Sequence, residues 1–164
     1  SRPRRLLRDA VGISGWKNLK VLLNGVTKKS SRKIAAPILG VQLVLFAASW
    51  ALTGAWWAYL LLWLAPWMTQ WRVLNRLRAL GEHGGMGPSD DRRATTHNVV
   101  QHPLARFWFV PYNTGWHLAH HVDMGIPFRA LPAFHAELEA AGYVTDEMSF
   151  PSYTALWRAC ISAS

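Results

Sequence analysis

The stretch IAAPILGVQLVLFAASWALTGAWWAYLLLWLAPWMTQW, residues 34–71, runs for 38 residues without a formal charge. About 20 apolar helical residues cross a bilayer core, so a block of this length fits two passes better than one. As one straight helix it would extend roughly 57 Å, well past the hydrocarbon thickness. The natural break is Thr53-Gly54, because glycine can end a helix and allow a tight turn. The expected passes are Ile34–Leu52 and Ala55–Gln70. Trp50, Trp56 and Trp57 cluster near the turn, while Trp67 and Trp71 sit at the exit. Those are the two levels at which interfacial indoles belong. A buried hairpin in a soluble core is set aside, because residues 72–164 could hardly cover two fully apolar helices on all sides. A cleaved signal peptide is excluded by the internal position and the double length.

Outside this block the charge is unevenly placed. The chain has 164 residues and a formal net charge of +9. Residues 1–33 hold 10 of the 18 Lys and Arg and a single acid, Asp9. Residues 72–164 hold 8 basic and 8 acidic residues, which cancel. This excludes both a uniformly basic nucleic-acid binder and, with 51% hydrophobic content, a disordered chain. Basic residues flank both ends of the apolar block: Lys28, Lys29, Arg32 and Lys33 before it, Arg72, Arg76 and Arg78 after it. Both ends are therefore expected on the cytoplasmic side, as a hairpin also demands. Three regions follow: a basic interfacial arm over 1–33, a transmembrane hairpin over 34–71 and a cytoplasmic region over 72–164.

Within the arm, Trp16, Leu19, Leu22, Leu23 and Val26 fall on one arc of a helix, and Lys17, Lys20 and Asn24 on another. That pattern predicts an amphipathic helix lying in the headgroup boundary, its lysines toward anionic lipid. Arg2, Arg4, Arg5 and Arg8 extend the same polarity. A nucleic-acid-binding arm is the alternative, but an adjacent membrane anchor already accounts for the charge.

One cysteine, Cys160, allows neither an internal disulfide nor a cysteine-based metal site, and it reads as a small apolar residue. All seven histidines lie beyond residue 72. The informative group is Gly115-Trp-His117-Leu-Ala-His120-His121. On a helix its three imidazoles share an arc of about 100°. Three neutral imidazoles on one short face suit a first-row transition metal. A zinc protease would need Glu directly after the first His, where Leu118 stands. Iron with oxygen chemistry remains, because nitrogen ligands support Fe(II) and leave positions open. His97 and His102 have no ligand spacing to the group, and His135 reads as a residue of an amphipathic helix continuing to Gly142.

His117-x-x-His120-His121, followed by Ile126-Pro127, Leu131-Pro132 and His135, resembles the third histidine box and tail of the membrane fatty acid desaturase superfamily, which includes hydroxylases and carotenoid ketolases. Arg78-Ala-Leu-Gly-Glu82-His83 resembles the short segment that follows the last membrane pass in many members. The resemblance implies two iron ions ringed by histidines at the cytoplasmic membrane surface. It would make His117, His120 and His121 box ligands and His83, just past a helix over Arg72–Leu80, an additional one. Glu82 would orient a ligand, as carboxylates do for metal-bound imidazole; a solvated charge is the plainer reading. Asn113 could reach the site or simply serve a turn.

The implied fold is all-α: an integral membrane helical hairpin, an interfacial amphipathic helix and a cytoplasmic helical cap carrying the box. The implied reaction removes hydrogen from an unactivated C–H of a lipid acyl chain, with O₂ as oxidant. Electrons would come from a ferredoxin or a cytochrome b5-type protein, and nucleic acid has no part. Arg92, Arg93, Arg106 and Arg129 are candidates for headgroup or acidic-partner contact, with solvated arginines as the default. Alternatives are a hydroxylase or carotenoid ketolase on the same scaffold, or a non-catalytic membrane protein with a structural metal. The first two boxes of the family are missing, and four candidate ligands cannot saturate two irons. The chain also opens on Ser1-Arg2. It is therefore expected to be the C-terminal half of a longer protein, inactive alone; a degenerate paralogue is the alternative.

Overall fold

The computed structural model describes residues 2–162. Ser1, Ala163 and Ser164 lie outside the described residues, as do the side chains of Pro3 and of Arg2, one of the arm's arginines. The described residues are 70% helical. It divides into two compact units, Ser1–Arg76 and Leu77–Ser164, with the boundary inside a helix.

The first unit opens with α1 (Arg2–Ala10) and α2 (Ile13–Thr27), joined through Gly12 at φ 78°. An extended Lys28 then separates α2 from α3 (Lys29–Thr53). Gly25 of α2 is buried against Ala35 of α3, where an added Cβ would come within 2.9 Å of the alanine methyl. The Ser31 hydroxyl donates to the Gly25 carbonyl at 3.0 Å and fastens the same corner. The arc read as lipid-facing is thus divided. Leu19, Leu22 and Val26 are half-buried, whereas Trp16 and Leu23 remain exposed.

Among the described residues α3 is the one helix long and apolar enough to cross a membrane. Only 6% of its apolar window is buried, so its side chains face outward on nearly all sides. A helix apolar all round and left uncovered suits lipid better than water. It ends where Gly54 turns left-handed at φ 69° and donates its N–H to the Trp50 carbonyl.

The segment expected as a regular second helix over Ala55–Gln70 is shorter and irregular. It comprises α4 (Trp57–Tyr59), a π-helical turn (Leu60–Leu64) and α5 (Ala65–Met68), and it breaks at Thr69. Pro66 explains the irregularity: its ring crowds the carbonyl four residues back and it has no N–H to return. The local helix widens in response, and the Ala65 amide bonds to the Leu60 carbonyl, five residues back. Two side chains of this segment meet α3 at one point. Gln42 Oε1 accepts from Tyr59 Oη at 2.8 Å and from Trp63 Nε1 at 2.9 Å. One amide oxygen thus satisfies two side-chain donors of this segment at once. Gly15 of α2 lies so close to Met68 that a Cβ there would collide with the Met68 backbone.

Beyond Thr69, α6 (Gln70–His83) replaces the expected Arg72–Leu80 helix and makes His83 its last residue. The second unit continues with a 3₁₀ turn (Arg92–Ala94), β1 (Asn98–Val99), α7 (Pro103–Trp108), α8 (His117–Val122) and α9 (Leu131–Ala140). A further 3₁₀ turn (Asp146–Met148), β2 (Ser149–Phe150) and α10 (Tyr153–Ser162) complete it. The two short strands pair in parallel, Asn98 with Ser149 and Val99 with Phe150, and no strand was expected from an all-α reading. They pin the chain on either side of the histidine helix. The unit's core is Val99, Val110, Tyr153 and Leu156, with Phe109, Phe150 and Trp157 packed against it. Gly81 of α6 is buried under the Tyr153 ring, and Trp157 Nε1 donates to the Leu77 carbonyl at 3.1 Å. These contacts fix the C-terminal half of α6, which ends in the first of the site histidines.

Candidate metal centre

All four histidines read as ligands lie in the second unit, and three of them converge. His83 ends α6, while His117 and His121 stand one helical turn apart on α8. Nε2 of His83 lies 3.0 Å from Nε2 of His117, which lies 3.1 Å from Nε2 of His121. The three ligand atoms fall within 4.8 Å of one another. The i, i+4 spacing puts two rings on one face of a single turn, and the end of α6 supplies the third.

The outer nitrogens show why the inner ones point inward. His83 Nδ1 lies 2.7 Å from the Thr95 carbonyl oxygen. A carbonyl only accepts, so the proton sits on Nδ1 and leaves Nε2 with its lone pair. His117 Nδ1 faces Glu82 Oε1 at 3.6 Å, an ion-pair distance longer than a hydrogen bond. Glu82 in turn accepts from Arg78 Nε, one turn back on α6. The carboxylate is therefore held beside His117.

Electrostatics favour the neutral form of the two α8 rings. Burial, followed by the neighbouring His121, His83, Arg78 and His120, pushes the His117 pKa down to about 3. Burial first, then His83, His120 and Arg92, also lowers that of His121. Neutral imidazoles with converging lone pairs are what a first-row divalent metal needs, so the donor set fits iron. Nearby Tyr153 stays a phenol, its pKa pushed up to about 12 by burial and then by the Glu82 charge.

His120 does not join the cluster. Its ring centroid lies 6.0 Å from that of His117 and 5.7 Å from that of His121. It lines a cavity of about 220 Å³ that it shares with His117, Arg78, Thr114, Ile126, Phe128 and Leu131. Asn113 does not reach the cluster either. It adopts φ 58° in the turn before α8 and donates to the Phe128 carbonyl at 3.0 Å, so turn formation accounts for it.

The remaining histidines hold structure. His97 places Nε2 2.8 Å from the Gly84 carbonyl, beside the end of α6. His102 caps α7 by accepting from the Leu104 amide. His135 is buried on α9 within 3.3 Å of Glu139. Of the candidate arginines, Arg93 pairs with Asp91, Arg106 stacks on Trp116 and Arg129 lies over Phe128. Sequence reasoning missed Thr95, whose contribution is a backbone carbonyl with no side-chain signature.

The profile of the family described as "Fatty acid desaturase" matches residues 2–151. The chain therefore belongs to the fatty acid desaturase family. That family is membrane-associated and typically iron-dependent, and membership points to an oxidoreductase. No curated protein and no solved structure compared with the chain gives a significant match.

Proposed function

We propose that this chain supplies part of a histidine-ligated two-iron centre in a membrane lipid desaturase. The observation that carries the reading is the convergence of the Nε2 atoms of His83, His117 and His121. His120 is the ligand assigned to a second ion, and residues outside these 164 complete both coordination spheres. When bound, iron would supply the oxygen activation that an unactivated C–H bond requires, since such a bond offers no acid, base or leaving group to exploit.

The chain's own residues perform the supporting tasks. The Thr95 carbonyl holds the His83 imidazole in one tautomer, Glu82 stands beside His117, and burial of His117 and His121 keeps protons from competing with the metal there. In this reading α3 and the Trp57–Met68 segment form the membrane hairpin, with both flanks cytoplasmic. The basic flanks and the uncovered apolar side chains support that topology. The substrate is a lipid acyl chain, and a ferredoxin or cytochrome b5-type protein delivers the electrons.

The test is to express the complete reading frame in a host with a simple lipid profile and analyse its lipids by mass spectrometry. Loss of two hydrogen atoms from an acyl chain is the expected result. Gain of one oxygen would assign the hydroxylase or ketolase reading instead. No lipid change in an iron-loaded preparation supplied with reductant would leave only the structural-metal reading.

A further inference from the structure

The first unit contains a cluster of charge that the metal chemistry does not use. Asp9, the single acid of residues 1–33, is fully buried at the end of α1 and pairs with Arg76 of α6. Around this pair Arg5, Arg8, Ser14 and Arg76 line a cavity of about 260 Å³. That is several times the roughly 30 Å³ that a water molecule occupies in the liquid. Arg5 and Arg8 lie one turn apart on α1, so both guanidinium groups reach the same side of the helix. Ser14 stands in the first turn of α2, whose N-terminus begins at Gly12 with no side-chain cap.

The charge balance is the informative part. Three guanidinium groups surround one carboxylate, so two positive charges are left over. Among the described residues no carboxylate lies within ion-pair distance of Arg5 or Arg8. A solvated arm would spread such charges apart; here α1 folds back and gathers them over a hollow. Arginine presents a planar fork that matches phosphate oxygens two at a time, while the Ser14 hydroxyl is engaged by the Asp9 carboxylate and helps to neutralise it. The positive end of an uncapped helix favours the same anion. The three arginines offer donors only, and the one carboxylate present is already engaged by Arg76 and Ser14.

We propose that the cavity lined by Arg5, Arg8, Ser14 and Arg76 binds a phosphate group, with α1 as its clamp. Asp9 positions Arg76 and supplies the neutralisation that lets three arginines sit together. Two residual positive charges suit a phosphomonoester, which carries about −1.5 to −2 at neutral pH. A lipid headgroup and a free phosphate compound share this chemistry. The site is distinct from diffuse attraction between a basic arm and an anionic surface, because it predicts that two particular arginines matter more than equal charge elsewhere.

The experiment uses the full chain in detergent. Phosphatidate and phosphatidylcholine are titrated separately and bound lipid is counted by native mass spectrometry. Inorganic phosphate is titrated in parallel by calorimetry. Arg5→Gln/Arg8→Gln is compared with Lys17→Gln/Lys20→Gln, which removes the same charge from exposed positions of α2. Circular dichroism verifies that both variants retain their helices.

The expected result is tight phosphatidate binding that falls at least tenfold in the arginine variant and clearly less in the lysine variant. Competition by inorganic phosphate would identify a soluble phosphate compound as a sufficient ligand; binding of phosphatidate alone would identify the lipid. Equal losses in the two variants would reduce the cavity to general surface charge and overturn the proposal. So would a phosphatidate affinity no greater than that for phosphatidylcholine, combined with no heat from phosphate. The iron reading can fail without touching this result, because neither variant alters a histidine.

Discussion

His83 and His117 stand 34 positions apart and meet with their Nε2 atoms 3.0 Å from each other. Each ring has its Nδ1 turned away, one to the Thr95 carbonyl and the other toward Glu82. Two lone pairs at that separation repel unless a proton or a cation stands between them. The pairing therefore defines a ligand set more sharply than the box motif alone does.

Removing a cluster nitrogen should remove the metal. His83→Ala, His117→Ala and His121→Ala are each expected to weaken Co(II) binding by at least about tenfold. His120→Ala should change it by less than about threefold, because that ring lines the neighbouring cavity. Visible absorption of the Co(II)-loaded chain measures both. A His120→Ala loss as large as that of His117→Ala would place His120 in the same coordination sphere.

Glu82 acts through His117, so its removal should lower affinity without abolishing the site. Glu82→Ala is expected to cost about 10- to 100-fold in metal affinity. Glu82→Gln should recover part of that loss, since its amide oxygen keeps a polar acceptor beside the imidazole. Equal affinity in all three proteins, read from competition with a chelator, would show Glu82 to be a bystander.

The approach of α2 to α5 rests on the absence of a side chain at Gly15. A Cβ there would stand 2.7 Å from Met68 Cβ and collide with the Met68 backbone. Gly15→Val is expected to destabilise the first unit by about 1–3 kcal/mol. Gly40→Val is the control, because nothing lies within 4 Å of a Cβ built at Gly40. Thermal unfolding in detergent should separate the two variants.

The Asp9–Arg76 pair carries an acid signature. The Arg76 guanidinium, then the Ser14 side chain and the Arg8 charge, outweigh burial and hold the Asp9 carboxyl below its ordinary 3.8. A group whose folded pKa is depressed stabilises the fold above its unfolded value and loses that contribution as pH falls through the folded one. Wild type should therefore exceed Asp9→Asn in melting temperature at neutral pH. The gap should close as the pH drops below about 4. A gap that persists at pH 2 would show that charge is not its origin.

The parts of this architecture that were legible beforehand are those written in local pattern. The uncharged run announces α3, Gly54 ends it as its conformational freedom suggests, and the histidine spacing puts two rings on one face of α8. What stayed hidden depends on partners distant in sequence. The Gly15 and Gly25 contacts turn part of a lipid-facing arc toward protein. The widened turn before Pro66 shortens what reads as a regular pass, because a missing N–H acts on carbonyls upstream of it. The split between His120 and its neighbours is equally nonlocal. It follows from where α6 ends, and no spacing within the box encodes that.

The bond from His83 to the Thr95 carbonyl closes a loop of 12 positions that includes Gly84, Gly85, Gly87 and Pro88. Only the returning carbonyl matters to the imidazole; Gly84, which has no room for a Cβ beside the Leu80 carbonyl, and Gly85, at φ 86°, are fixed by their own backbone, so the freedom to change in length and kind belongs to the middle of the loop. The geometry of one ligand is thereby insulated from drift in the most variable kind of backbone. A structural demand on a whole segment has been reduced to a demand on a single atom.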